Sequence, residues 1–143
     1  TRRLSSAASD VYKRQIIRLC DWFGLNELVC SSDTVDCYNS KVIQSSMGSI
    51  ARVRCNYQSN LDEYLKSLEK PIFGATLNGK SIYKTKLPSK ATYVFGNESN
   101  GISESINKIL DEKLTIPNQR LTNGANSLNV ATSAAIFLSE IFR

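Results

Sequence analysis

At 143 residues, with 41% hydrophobic and 22% charged positions, the chain has the size and composition of a single globular domain with its own buried core. It contains no histidine, which excludes within this chain Ser-His-Asp and Cys-His nucleophile arrangements, H-E-x-x-H zinc sites and histidine general bases. The net charge of +5 suits an acidic partner such as nucleic acid. No apolar run approaches the roughly 20 residues of a membrane span, and no signal peptide opens the chain.

Catalysis, if present, must rest on positioning and on carboxylate, hydroxyl, amide or guanidinium groups, with no metal expected. Cys20, Cys30, Cys37 and Cys55 form no C-x-x-C pair and read as buried thiols of a cytoplasmic protein.

Residues 1–15, "TRRLSSAASDVYKRQ", are basic, rich in small residues and without apolar periodicity. They are expected to stand outside the domain as a non-fitting arm. The run "SSAASDVYKRQ" resembles a translated adaptor sequence, and a natural basic arm is the alternative. The domain proper is expected over residues 16–143, opening with "IIRLCDWFGLNELV" as helix, turn and strand.

Strands are predicted at Glu27–Cys30, Ala51–Cys55, Pro71–Ala75, Thr92–Phe95 and Lys113–Ile116. Between them, "SNLDEYLKSLEK" has Asn60 as N-cap with Glu63 three residues on, and Leu61, Leu65 and Leu68 on one face. "ISESINKILDEK" repeats the device, with Ser103 as cap before Ile106, Ile109 and Leu110. The terminal segment, with Leu128, Ala131, Ala135, Leu138 and Phe142 at helical spacing, predicts a packed helix capped by Asn126 or Ser127. Alternating strands and helices imply an α/β fold, mainly parallel, with helices on both faces. Ligands of such folds sit at the carboxyl ends of strands near a topological switch, where residues 96–101 fall.

Three loops carry chemistry. "GATLNGKS", Gly74 to Ser81, satisfies G-x-x-x-x-G-K-[ST] and would make the chain a P-loop NTPase with Lys80 on phosphates and Ser81 on Mg²⁺. A P-loop must open a helix, whereas Pro88 ends any helix beginning here almost at once; coincidence is the preferred reading. "GNESNGIS" is a poor phosphate cradle, because Glu98 places negative charge where the anion belongs. Its glycines suit close backbone approach to a cationic or polar ligand, or a simple strand-to-helix turn. "TIPNQRLTNGANSLNVATSAA" runs from a strand end through a polar loop into a helix whose first turn is expected to carry Ser127, Leu128 and Asn129.

"IIRLCDWFG", "VFGNESNGIS" and "IPNQRLTNGANSLNVATSAA" resemble, in order and approximate spacing, the three signature motifs of the SpoU (TrmH) family of RNA ribose 2'-O-methyltransferases. "SSMGSIARV", residues 45–53, is similar to the family's Ser-x-Gly stretch. The resemblance covers Ile16 to Arg143. It implies a knotted α/β domain with a carboxyl-terminal trefoil knot, a homodimer, and S-adenosylmethionine bound bent in the knot. Gly96, Ile116 and Leu128 would hold the cofactor through their backbones, with Asn97, Gly101 and Pro117 beside them and Thr76 and Leu77 near the adenosine. The loop between Pro117 and Ser127 is longer than in the shortest family versions, which a surface loop tolerates.

The resemblance also implies a ribosomal or transfer RNA substrate, with Arg18 acting on the 2'-OH. A guanidinium stays protonated above pH ~12, so stabilising an alkoxide or anchoring a phosphate suits it better than acting as a base. Glu98, Ser127 and Asn129 would orient Arg18, the ribose and the cofactor. The family's Asn and Gly, six and four residues before the arginine, are replaced by Tyr12 and Arg14. If residues 1–15 are foreign, a substrate-recognition domain is expected upstream. The class alternative is an impaired knotted dimer that binds cofactor or RNA without methyl transfer.

Overall fold

The structure, a computed structural model, describes residues 3–6, 10–32, 38, 48–120 and 124–143. Six strands, β1 (Arg3–Ser6), β2 (Glu27–Ser31), β3 (Arg54–Gln58), β4 (Ile72–Ser81), β5 (Thr92–Phe95) and β6 (Glu112–Thr115), form one sheet in the order β3-β2-β1-β5-β4-β6. Every pairing is parallel. Among the described residues four α-helices accompany them: α1 (Asp10–Trp22), α2 (Leu61–Lys66), α3 (Glu104–Asn107) and α4 (Val130–Ile141).

A parallel sheet needs cover on both faces, and the side-chain alternation of β5 supplies it. Tyr93 and Phe95 join one cluster with Ile16, Ile17 and Cys20 of α1 and Val130, Ala134, Phe137 and Leu138 of α4. Val94 points the other way, into a smaller cluster with Ile72, Leu65 of α2 and Ile106 of α3. The caps of the two short helices form as their residue types require: Asn60 Oδ1 accepts from Glu63 N at 3.2 Å, and Ser103 Oγ from Ile106 N at 3.4 Å.

The expectation that residues 1–15 stand outside the domain is corrected. Arg3–Ser6 pairs in register with both β2 and β5, a central position in the sheet, and residues 10–15 are the first turns of α1. The signal was hidden because Lys13 occupies a core-facing helical position. It is 2% exposed, donates from Nζ to Tyr57 Oη at 3.1 Å and lies 4.6 Å from that ring's centroid, so an ammonium on an aromatic face stands where an aliphatic residue would announce a helix. Tyr12 packs half-buried on the same cluster.

The strand expected from Ala51 begins instead at Arg54, because Ser49–Ala51 closes a 3₁₀ turn behind Gly48. Cys20, Cys30 and Cys55 are buried free thiols; Cys37 lies outside the described residues. The terminal helix starts at Val130 under an Asn129 cap, so neither Asn126 nor Ser127 caps it and Ser127, Leu128 and Asn129 precede its first turn. The P-loop reading is overturned: Gly74–Ser81 lies within β4, leads only into the three-residue 3₁₀ turn Ile82–Lys84 and not into an α-helix, and Lys80 is paired with Glu112.

Asp21 at the end of α1 ties this helix to the 3₁₀ turn. Arg52 donates to it from Nε at 2.8 Å and Nη2 at 2.6 Å, and Ser49 Oγ donates at 2.8 Å. Those hydrogen bonds, Arg52's first and then Ser49's, hold its carboxyl down from 3.8 to about 2. A depressed folded-state pKa stabilises the fold above the unfolded value of 3.8 and loses that contribution as pH falls through about 2. Asp21→Asn is therefore expected to melt below the parent at neutral pH, with the gap closing between about pH 4 and pH 2. Thermal melts followed by circular dichroism across that range check it; a gap independent of pH would mean that the carboxylate's charge is not what holds the turn.

Candidate active site

A cleft of about 810 Å³ opens at the carboxyl ends of β4, β5 and β6, with Ala75 and Phe95 at its strand side and Val130, Ser133 and Phe137 of α4 closing it. Three loops build its walls.

The first is the tip of β4. Ala75 and Lys80 both pair with Leu114 of β6, so residues 76–79 leave the ladder and bulge out between them. Thr76 Oγ1 donates to Asn78 O at 2.9 Å, and Thr115 Oγ1 donates to Leu77 O at 3.1 Å, pinning the bulge to β6. Thr76, Leu77 and Asn78 thereby line the cleft, with Leu77 68% exposed. The run that mimics a P-loop in sequence is a bulged inner strand in space.

The second wall is the loop after β5. Gly101 N donates to Asn97 O at 2.9 Å and Asn97 N to Gly101 O at 3.2 Å. Asn97 Oδ1 accepts from Ser99 N at 2.9 Å and Asn100 N at 2.7 Å. The asparagine thus organises its own turn, which Gly101 completes at φ 66°. Gly96 is required for a different reason: a Cβ there would overlap the backbone of Gly101 and Ile102. Glu98 stands exposed at the tip, with no hydrogen bond or ion pair among the described residues, and is the only carboxylate among the lining residues.

The third wall runs from Ile116 and Pro117 to α4. Asn118 Oδ1 accepts from Arg120 N at 2.8 Å, and Asn118 Nδ2 donates to Ala125 O at 3.4 Å, closing the long loop on itself. Ser127 and Leu128, the latter 48% exposed, follow at the cleft's lip.

One cleft therefore gathers Thr76, Leu77, Gly96, Asn97, Gly101, Ile116, Pro117 and Leu128 with Glu98 and Ser127. Two expected site residues lie apart from it. Asn129 serves as N-cap of α4, its Oδ1 accepting from Thr132 N at 2.8 Å, so its side chain is committed to the helix that carries Ser133 and Phe137. Arg18 is exposed on α1, outside the lining, and has no side-chain partner among the described residues. Sequence reading missed Ser133 and Phe137, which the spacing of α4 places one and two turns in from Val130, and the neutral amides Asn78, Asn107 and Asn118, which carry no charge pattern to find them by.

Apolar walls, many backbone and side-chain amides, the carboxylate of Glu98 and the cations Lys113 and Arg120 line this cleft at the carboxyl edge of a parallel sheet, where α/β domains hold polar ligands. The model of the SpoU rRNA Methylase family matches residues 15–139, and the chain belongs to that family. Among curated relatives, the 23S rRNA (guanosine(2553)-2'-O)-methyltransferase RlmP of Bacillus subtilis is 34% identical over 88% of this chain and 51% of that protein. The 23S rRNA (guanosine-2'-O-)-methyltransferase RlmB of Neisseria meningitidis is 28% identical over 89% of this chain and 51% of that protein. The chain thus spans about half the length of these relatives. A solved Porphyromonas gingivalis protein, assigned to the TrmH family of RNA methyltransferases, superposes with a TM-score of 0.90 at 33% identity, over 97% of this chain and 58% of that one. The SpoU methyltransferase AviRb of Streptomyces viridochromogenes, solved with AdoMet, shares the fold at a TM-score of 0.83 and 22% identity, over 97% and 58% of the two chains.

Proposed function

We propose that the chain is the catalytic domain of an RNA ribose 2'-O-methyltransferase that uses S-adenosylmethionine and acts on ribosomal or transfer RNA. The observation that carries the reading is the convergence of the motif residues Gly96, Glu98, Ile116, Ser127 and Leu128 on one cleft, together with the 2'-O-methyltransferase relatives RlmP and RlmB. The donor set fits a zwitterionic cofactor: Leu77, Ile116 and Leu128 offer apolar surface, the loop backbones offer amides, Glu98 is the one carboxylate among the described lining residues, and Lys113 and Arg120 line the same cleft as cations.

Bound there, S-adenosylmethionine supplies a methyl on a positive sulfur, which the ribose oxygen takes as the carbon–sulfur bond breaks. The protein's share is positioning and the 2'-OH proton. Glu98 lies free to accept that proton or to hold Arg18 toward the forming alkoxide, and Ser127 faces the same space to orient the ribose. Asn129 acts at one remove, by fixing where α4 begins. Arg18 stands outside the cleft of its own chain, so its role is served across a homodimer; Trp22, 84% exposed on the same helix, suits such a contact. After β6 at the sheet edge, residues 116–120 and 124–128 line one cleft with residues 76–78 and 96–101, and α4 packs on α1. That arrangement supports a carboxyl-terminal trefoil knot, and the family reading carries a cytoplasmic location with it.

The test is transfer of labelled methyl from S-adenosylmethionine to ribosomal and transfer RNA, with the modified nucleoside identified by mass spectrometry. Glu98→Gln is expected to lower the transfer rate about 100-fold while changing cofactor affinity, measured by calorimetry, far less. Tyr12 and Arg14, half-buried where the family has Asn and Gly, favour one second reading, a binding protein. Cofactor binding without transfer to any RNA would select it.

A further inference from the structure

Residues 70–97 contain five lysines and no aspartate or glutamate. Lys70 pairs with Asp111 at 3.2 Å and Lys80 with Glu112. Lys84, Lys86 and Lys90 are exposed and make no ion pair among the described residues. They occupy the connection from β4 to β5, and Tyr83 beside them is 54% exposed.

This connection is held firmly to the domain. Ile82 is fully buried in the main core and Leu87 packs on it. Ser81 Oγ accepts from Tyr83 N at 3.3 Å, Thr85 Oγ1 donates to Ser81 O at 2.8 Å, and Tyr93 Oη donates to Pro88 O at 2.8 Å. After the turn Ile82–Lys84 the chain extends, so Thr85 and Leu87 face inward while Lys84 and Lys86 face solvent. An anchored backbone presenting an aromatic and unpaired ammonium groups is a surface prepared for a polyanion with stacking faces. A merely solvated face has no use for the tyrosine.

Its position joins it to the cleft. Ser81 pairs with Thr115, a cleft-lining residue of β6, so Tyr83 and Lys84 leave the sheet at the end where the cleft opens. We infer that the β4–β5 connection is the docking track for single-stranded RNA flanking the reacting nucleotide, with a base stacked on Tyr83 and phosphates on Lys84 and Lys86. The inference rests on the proposed function in naming RNA. The stacking platform plus cationic track is the chemistry of sequence-tolerant single-strand binding, and it leaves target choice elsewhere.

The test is fluorescence anisotropy of the full chain with a labelled single-stranded RNA at several salt concentrations, beside calorimetry with S-adenosylmethionine. Lys84→Gln/Lys86→Gln should bind RNA about tenfold more weakly at ~0.1 M salt, and its log–log salt slope should fall by about 1.4, the effect of two single-strand phosphate contacts. Tyr83→Ala should weaken binding with the slope unchanged, because stacking releases no counterions, and all variants should keep the parent's melting temperature and cofactor affinity. Parent and variants with equal RNA affinity and slope would overturn the track while leaving the methyltransferase reading intact. A parent that binds cofactor but no RNA would overturn the track too; a parent that binds RNA through these residues but never the cofactor would uphold it and sink the proposed function.

Discussion

Gly96→Ala is expected to destroy the cleft. The added methyl would overlap the carbonyl group of Gly101 and the amide nitrogen of Ile102, all backbone atoms with no rotamer to escape into. The Asn97–Gly101 bridge must open to admit it, releasing Glu98 and the Asn97-centred turn together. Overpacking against backbone lies at the upper end of its usual cost, about 3 kcal/mol, and S-adenosylmethionine affinity should fall by ~100-fold or more. Gly101→Ala is the control: its Cβ meets nothing, so only the positive φ penalises it, at about 1–2 kcal/mol. Urea denaturation and cofactor calorimetry on both variants decide the matter. Equal losses in the two would show that close approach at Gly96 is not what shapes the loop.

Phe137→Ala should cost about 3–5 kcal/mol in urea unfolding. The ring is 1% exposed and meets Phe95 edge-on at 5.3 Å and Tyr93 at 6.4 Å between centroids, and Tyr93 in turn stacks on Phe73 at 5.3 Å. This aromatic chain seats α4 on the sheet. Because Phe137 also closes the cleft, cofactor affinity should fall with stability, whereas Leu138→Ala, equally buried but outside the lining, should lower stability alone. A cost below about 1 kcal/mol for Phe137→Ala would contradict this tight seating of α4.

Much of the architecture is written locally and was read from the chain. β5 lies at Thr92–Phe95 as predicted, because four apolar or β-branched residues between turn signals have few other uses. Asn60 and Ser103 cap where expected, since a short polar side chain before an apolar helical pattern satisfies amides that nothing else reaches. The GNESNG stretch reads as a tight loop for the same reason: Asn97 and the two glycines carry its geometry within six residues.

What needed the tertiary structure is everything decided by a distant neighbour. The strand at residues 3–6 exists because β2 and β5 flank it, and the start of α1 depends on Tyr57, a residue of β3, receiving Lys13. The run Gly74–Ser81 satisfies a phosphate-loop pattern on paper, yet Leu114 pairs with it twice and makes it a bulged strand. Asn129 becomes a cap, leaving Ser127 and Leu128 free at the cleft, and Arg18 stays outside it. The sequence by itself determined the family, the class of fold and the loops that bear chemistry, because these reside in local residue types and their order. Only the tertiary structure decided which of those residues meet, because pairing across a sheet and packing between helices depend on residues far apart in the chain.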